Sequence, residues 1–229
     1  MKSWVKEIID WVLVIGVALA VALFLNNFII TNSFIPTGSM ETNLPIGARV
    51  FGFRLQYLFS KPQRGDVVIF DYGFICKNKD CKLMYQKNDE GVCPNCKRES
   101  SKNKKAYYIK RVIGLPGEHI EIKADYPCEV GLIKGARVGS DTGTVPCGHV
   151  YVNAKVLEED YINGPMIVSG DRFKSMDIVV PDGHYFLLGD NRNNSEDARF
   201  WPKTFVPLED IKAKAWILYW PLTRLSIIK

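Results

Sequence analysis

Histidine is scarce in this chain. His119, His149 and His184 are the only three in 229 residues, none has a distinctive setting, and no Gly-x-Ser-x-Gly elbow surrounds Ser39. A Ser–His–Asp site is not excluded by chain order, because such triads are defined by geometry, but these histidines read as surface or turn residues. Long apolar runs are scarcer still: Trp11 to Leu25 is the only one, which excludes a polytopic membrane protein. Beyond it there is no long 3.6-period segment, no internal repeat and no low-complexity stretch. Charge of one sign is also missing, since 30 basic against 25 acidic residues leave only +5, too little to argue for nucleic-acid binding. What remains is 47% hydrophobic and 24% charged, with a mean hydropathy of −0.06: one large domain or two small ones able to bury a core without staples.

The apolar run continues past Asn26-Asn27 into Phe28-Ile29-Ile30, giving about 20 residues, enough to cross ~30 Å of hydrocarbon as a helix. Trp11 suits a headgroup level, and Lys2 and Lys6 precede the run while no Lys or Arg follows until Arg49, a bias that puts the N-terminus in the cytoplasm. The expected organisation is a cytoplasmic segment 1–10, a transmembrane helix 11–30 and an extracytoplasmic body 31–229. A cleavable signal peptide ending among Ala18, Ala20 and Ala22 competes with this reading. A buried core helix is disfavoured, because the run has no polar face.

After Thr31 the pattern changes to short β-branched and aromatic runs punctuated by Gly, Pro, Asn and Asp. Strands are expected at 66–72, 106–113, 119–122, 149–157, 185–188 and 212–220, in a mainly β, antiparallel body. The run Trp216-Ile217-Leu218-Tyr219-Trp220 reads as a core strand, the alternative being aromatics that dip into a membrane interface. The segment 76–105 has the weakest β signal and reads as a basic insertion: nine Lys/Arg against four Asp/Glu, an excess equal to the whole chain's.

Three segments carry chemistry. In Pro36-Thr37-Gly38-Ser39-Met40 a serine sits in a tight turn where Gly38 permits close backbone approach, and the Thr37 hydroxyl with the Ser39 N–H could stabilise an oxyanion. In Tyr108-Ile109-Lys110-Arg111-Val112-Ile113 two cations occupy opposite faces of an apolar strand, so one of them is expected against low-dielectric surroundings. There a lysine gives up its proton far more readily than an arginine, which makes Lys110 the candidate base. The bland reading is an edge strand with both stems reaching water. The third segment, Gly189-Asp190-Asn191-Arg192-Asn193-Asn194-Ser195-Glu196-Asp197-Ala198-Arg199, is a dense polar turn after a strand; it allows an Asp–Arg pair and a serine that holds an amine in line, or merely a well-satisfied turn.

In this order, behind an N-terminal span and with Gly65-Asp66-Val67-Val68-Ile69-Phe70 between the first two, the segments resemble bacterial type I signal peptidase. The resemblance implies an antiparallel β-sheet body and a membrane-bound Ser–Lys endopeptidase that frees exported preproteins from their signal peptides through an acyl-enzyme. It makes Ser39 the nucleophile, Lys110 the general base and Thr37 with Ser39 the oxyanion hole, while Ser195 orients Lys110 and Asp197 and Arg199 brace the site. Ile35 and Ile109 match apolar positions near pockets for small residues at the first and third positions before the cut. The partners implied are signal-peptide-bearing preproteins and membrane lipid, not nucleic acid. No cofactor is implied for catalysis, and the location is the bacterial inner membrane, single-pass, with the body on the periplasmic side. Two departures stand out: Met40-Glu41-Thr42-Asn43-Leu44 lacks the family's proline, and Ala198 and Pro202 replace a serine and a glycine.

Cys76-x4-Cys81 and Cys93-Pro94-Asn95-Cys96 have spacing suited to a structural zinc site, but in an oxidising compartment disulfides fit as well. Cys128 and Cys147 read as a separate disulfide. The same cysteines motivate a rival function, a membrane-tethered zinc-ribbon binding module without catalysis.

Overall fold

A computed structural model describes residues 3–41, 43–133, 143–170 and 173–228; Lys2 and Thr42, named above, lie outside them. The apolar run forms helix α1 (Ser3–Phe24), 22 residues or about 33 Å long, with a stretch at Lys6–Phe24 of mean hydropathy 2.3 that packs on nothing. The helix starts earlier than the expected 11–30 segment and stops sooner. A π turn (Leu25–Ile29) follows, and Ile30 already belongs to a strand. The Asn26-Asn27 pair is a poor helix former, and the β-branched Ile29-Ile30-Thr31 are good strand formers, so the ladder changes there.

The body is mainly β and antiparallel. In chain order its strands are β1 (Ile30–Phe34), β2 (Arg49–Phe53), β3 (Val67–Ile75), β4 (Met84–Gln86), β5 (Lys104–Gly114), β6 (His119–Glu129), β7 (Thr144–Val152), β8 (Lys155–Val156), β9 (Met166–Ile167), β10 (Met176–Val179), β11 (His184–Leu188), β12 (Val206–Pro207), β13 (Ile211–Trp220) and β14 (Ser226–Ile227). One sheet runs β1-β2-β13-β3-β5-β11-β12, with β4 on β3 and β14 on β13; the other runs β10-β6-β7-β8, with β9 on β7. The expected strand 149–157 is instead a hairpin, because Asn153 and Ala154 take positive φ and reverse the chain. Strands β1 and β2 escape pattern reading: Ile30 continues the apolar run, and the short β2 carries a glycine, Gly52, next to its end.

Strand β3 explains the apolar Val67-Val68-Ile69-Phe70. Val68 and Phe70 enter a core between the two sheets with Ile120, Ile122, Val150 and Leu187, while Val67 and Ile69 enter a second core with Ile35, Met40, Leu44, Val50 and Leu218. Alternation at period two, with both faces buried, leaves no polar position in the run. In β13 only Leu218 of the aromatic run is fully buried; Trp216 and Trp220 are about half exposed (47% and 50%), correcting the reading of that run as core. A disulfide joins Cys128 of β6 to Cys147 of β7.

Candidate active site

Three elements converge on one end of a cleft of about 640 Å³. Strand β5 supplies Lys110, paired with Val68 across β3; β11 ends at Leu188 opposite Arg111, so the polar turn begins beside the lysine. The serine turn follows β1 and is tied to the loop before β2 by Ile35 N–H to Ala48 O and Gly47 N–H to Ile35 O. Ser39 lies in a 3₁₀ turn, Gly38–Met40, whose residues are all buried.

Lys110 Nζ is 2.6 Å from Ser39 Oγ, and both residues are buried. Burial is the dominant influence on the amine; it outweighs the pull of the Asp197 carboxylate and, aided by Arg199, lowers the Lys110 pKa from 10.5 to about 8. A buried neutral amine touching an alcohol can accept its proton, which an exposed lysine at neutral pH cannot. Thr37 is exposed at the cleft, and its hydroxyl stands 3.4 Å from Ser39 Oγ.

The polar turn holds this pair. Asn191 donates its backbone N–H to Ser39 O (3.1 Å) and its side-chain Nδ2 to Gly38 O (3.0 Å), clamping the serine turn from behind. Asp197 is fully buried and accepts from Gly189 N–H and from Arg199 Nε (2.8 Å) and Nη2 (2.9 Å). Burial alone would raise its carboxyl, but the Arg199 guanidinium and then Lys110 hold it below the usual carboxylate range. Ser195 is buried in the same turn, and among the described residues its Oγ has no hydrogen-bond partner. Room for it exists only because residue 189 is glycine: a Cβ there would stand 2.2 Å from Ser195 Oγ and 2.5 Å from Ser39 O.

Ile35 and Ile109 both line the cleft and pack on the second core. The cleft lies between two free strand edges. Among the described residues β1 pairs only with β2, and β5 from Lys104 to Ile109 pairs only with β3. No histidine lines it. Among the described residues His119 pairs with Asp177, His149 with Asp125 and His184 with Asp182 O, all at the surface.

Sequence reasoning expected one of the two strand cations to be buried; both are. Arg111, 3% exposed, forks onto the fully buried Asp190 with Nε and Nη2 (2.8 and 2.7 Å), gives Nη1 to Gly65 O, and stacks on Tyr161. Asp190 also accepts from Asn43 (2.8 Å), which reaches Tyr161 O as well, so this asparagine ties down the loop that lacks the family's proline. A further buried pair, Arg192 with Glu159, anchors the turn's far side. Asp190 and Asn191 stand in the quoted motif without a role; nothing short-range could assign Asp190 its donors Arg111 and Asn43, or Asn191 the carbonyls of Gly38 and Ser39.

The cysteine knob packs beyond the other end of the cleft. The sulfurs of Cys76, Cys81, Cys93 and Cys96 all lie within 4.8 Å of one another, with no disulfide among them.

Comparison with known proteins gives the class of this mainly β body behind an apolar helix: residues 8–220 match the family described as signal peptidase, peptidase S26. The chain belongs to that family and is a peptidase. It is 31% identical over 235 residues to signal peptidase I of Pseudomonas aeruginosa, covering 91% of this chain and 72% of the relative. It is also 30% identical over 221 residues to signal peptidase I of Leptolyngbya laminosa (96% and 84%), and 29% over 211 residues to probable signal peptidase I-2 of Synechocystis sp. (92% and 72%).

The tight contact at Gly189 yields a prediction. Gly189→Ala is expected to push Ser195 and the serine turn apart and lower kcat/KM on the order of 100-fold, the usual effect of misplacing a reacting atom by ~1 Å. A cleavage rate equal to wild type would mean that the turn gives way without moving Ser39.

Proposed function

We propose that this chain removes signal peptides from exported preproteins by acyl transfer, with Ser39 as nucleophile and Lys110 as general base. The observation that carries the reading is the 2.6 Å contact between a buried, readily deprotonated amine and a buried alcohol at the end of an open cleft. Lys110 takes the Ser39 proton as Oγ attacks the scissile carbonyl. The oxyanion is met by the Ser39 N–H and the Thr37 hydroxyl. The lysine then gives its proton to the leaving amine, and a water deprotonated by Lys110 releases the acyl group. Asp197 and Arg199 brace the amine's surroundings. Ser195, buried in the same turn, is given the part of orienting the Lys110 amine. The reaction takes no part from a cofactor.

The substrate enters as an added strand between the free edges of β1 and β5, where main-chain hydrogen bonds are available and Ile35 and Ile109 leave room only for small side chains. The apolar run 11–30, most of it in helix α1, crosses the bacterial inner membrane with residues 1–10 in the cytoplasm, and the body stands on the periplasmic side. The exposed Trp216, Trp220 and Leu222 on and just after β13 are suited to the lipid interface. Nucleic acid has no role in this reading.

The test is the pH dependence of preprotein cleavage by the full chain in detergent or lipid. Only neutral Lys110 accepts the proton, so kcat/KM should rise about tenfold per pH unit at low pH and level off above about 8, giving a loss of about 50-fold between pH 8 and pH 6. A profile flat from pH 6 to 9 would remove Lys110 from the role of base.

A further inference from the structure

We propose that Cys76, Cys81, Cys93 and Cys96 bind one zinc ion as thiolates, and that this ion fixes the wall of the cleft farthest from Ser39. The metal site itself does not depend on the peptidase reading. Four thiolates about 2.3 Å from a tetrahedral zinc stand about 3.8 Å apart. Here Cys76 and Cys96 are 3.4 Å apart, Cys81 and Cys93 are 3.6 Å apart, and all four lie within 4.8 Å. Two disulfides would instead draw the sulfurs into separate pairs about 2.0 Å apart. The same structure does join Cys128 to Cys147, yet it leaves these four as a single cluster of thiols.

The lobe needs such a centre. Its own core is only Cys76, Tyr85 and Cys93, flanked by Phe74 and the other two cysteines, too little apolar burial for a lobe of this length. Both cysteine loops turn in the same way: the residue after the second cysteine, Lys82 or Lys97, takes positive φ, and Asn95 Nδ2 donates to Cys81 Sγ at 3.5 Å. Such a donor offsets charge on a ligating sulfur. Four thiolates with Zn²⁺ carry −2, and Lys77, Lys82, Lys97 and Arg98, each next to a cysteine or one removed, offset it. Binding forms four Zn–S bonds, releases the thiol protons to solvent and changes no oxidation state.

The cluster grips the cleft through its neighbours in the chain. Ile75, which lines the cleft, directly precedes Cys76; Cys76 N–H bonds to Leu83 O, fixing Met84; and Asn103 accepts from Lys77 N–H, fixing Lys104. Ile75, Met84, Lys104 and Lys105 make up this wall, about 20 Å along β5 from Lys110.

The experiment is metal analysis of the full chain purified without chelator, with thiol alkylation, intact mass and hydrogen exchange before and after zinc is stripped by a chelator with a mercurial. One zinc per chain is expected, with four thiols shielded until stripping and no zinc retained in Cys96→Ser. Stripping should speed exchange at 74–86 and 104–107 by tenfold or more and leave 189–199 unchanged. Absence of zinc overturns the site, whether the four thiols alkylate freely or the mass is four hydrogens low through two disulfides. Bound zinc with exchange at the wall unaltered by stripping overturns its role in the cleft. Stripping acts on the wild-type chain, so the result stands even if Cys96→Ser fails to fold.

Discussion

Ser39→Ala and Lys110→Met are each expected to lower kcat on a preprotein by about 10⁴-fold or more, because a nucleophile and its base act as a unit and the loss of either removes the covalent route. The double variant should be little worse than either single one, the non-additivity expected of a true dyad. Lys110→Met also makes a stability prediction of opposite sign. The amine's pKa is lowered in the fold, chiefly by burial, so below about 8 the folded state carries a charge in a dry site. Between about 8 and 10.5 the unfolded chain binds more protons, and stability rises with pH; below that window the penalty is fully present, at most about 3 kcal/mol. Replacing the lysine by an apolar residue of similar length removes it. Thermal melts near neutral pH should therefore show Lys110→Met at least as stable as wild type while cleavage is lost. A strongly destabilised Lys110→Met would mean that the amine holds the fold together, and the kinetic loss would then say little about chemistry.

Asp190→Ala should cost about 3–5 kcal/mol of folding stability, the largest effect on stability expected of any single substitution in the site. The carboxylate is fully buried and receives two guanidinium hydrogen bonds from Arg111 and one from Asn43. Removing it strands a charge that has no route to water. Replacing both partners, as in Arg111→Met with Asp190→Leu, should recover much of the loss, since an apolar pair of matched volume is often no worse than a buried ion pair. Recovery of stability need not bring back activity: Asn191 follows Asp190 directly and holds the carbonyls of Gly38 and Ser39. Chemical denaturation of the four species gives the coupling energy, and a value near zero would show that Arg111 and Asp190 stabilise the fold independently.

How much of this was legible in the sequence depended on range. Ser39 and Lys110 were readable because Pro-Thr-Gly-Ser and a lysine amid apolar strand residues are short-range signatures of chemistry, and the strands around them follow period two. Arg111 was misjudged because alternation in β5 puts it opposite Lys110, and only the return of β11 with Asp190 encloses that face as well. Asn43 and Asn191 could not have been assigned, since polar turn residues look alike until their distant acceptors are known. The Trp216–Trp220 run was read by hydrophobicity, but hydrophobicity does not say which face of an interior strand is left uncovered. Cysteine spacing announced a cluster without saying whether its sulfurs bridge one another or share an ion.

The path of the main sheet has one more consequence. The ribbon bearing the alcohol, β1-β2, makes no ladder with the ribbon bearing the amine, β3-β5; β13, the last long strand of the chain, lies between them and pairs with both. Before β13 pairs, the two reactive groups are brought together by side-chain packing in the second core and by the clamp of Asn191 on the serine turn, without a shared ladder. The main sheet that carries alcohol and amine alike is therefore completed only once β13 has paired with both ribbons.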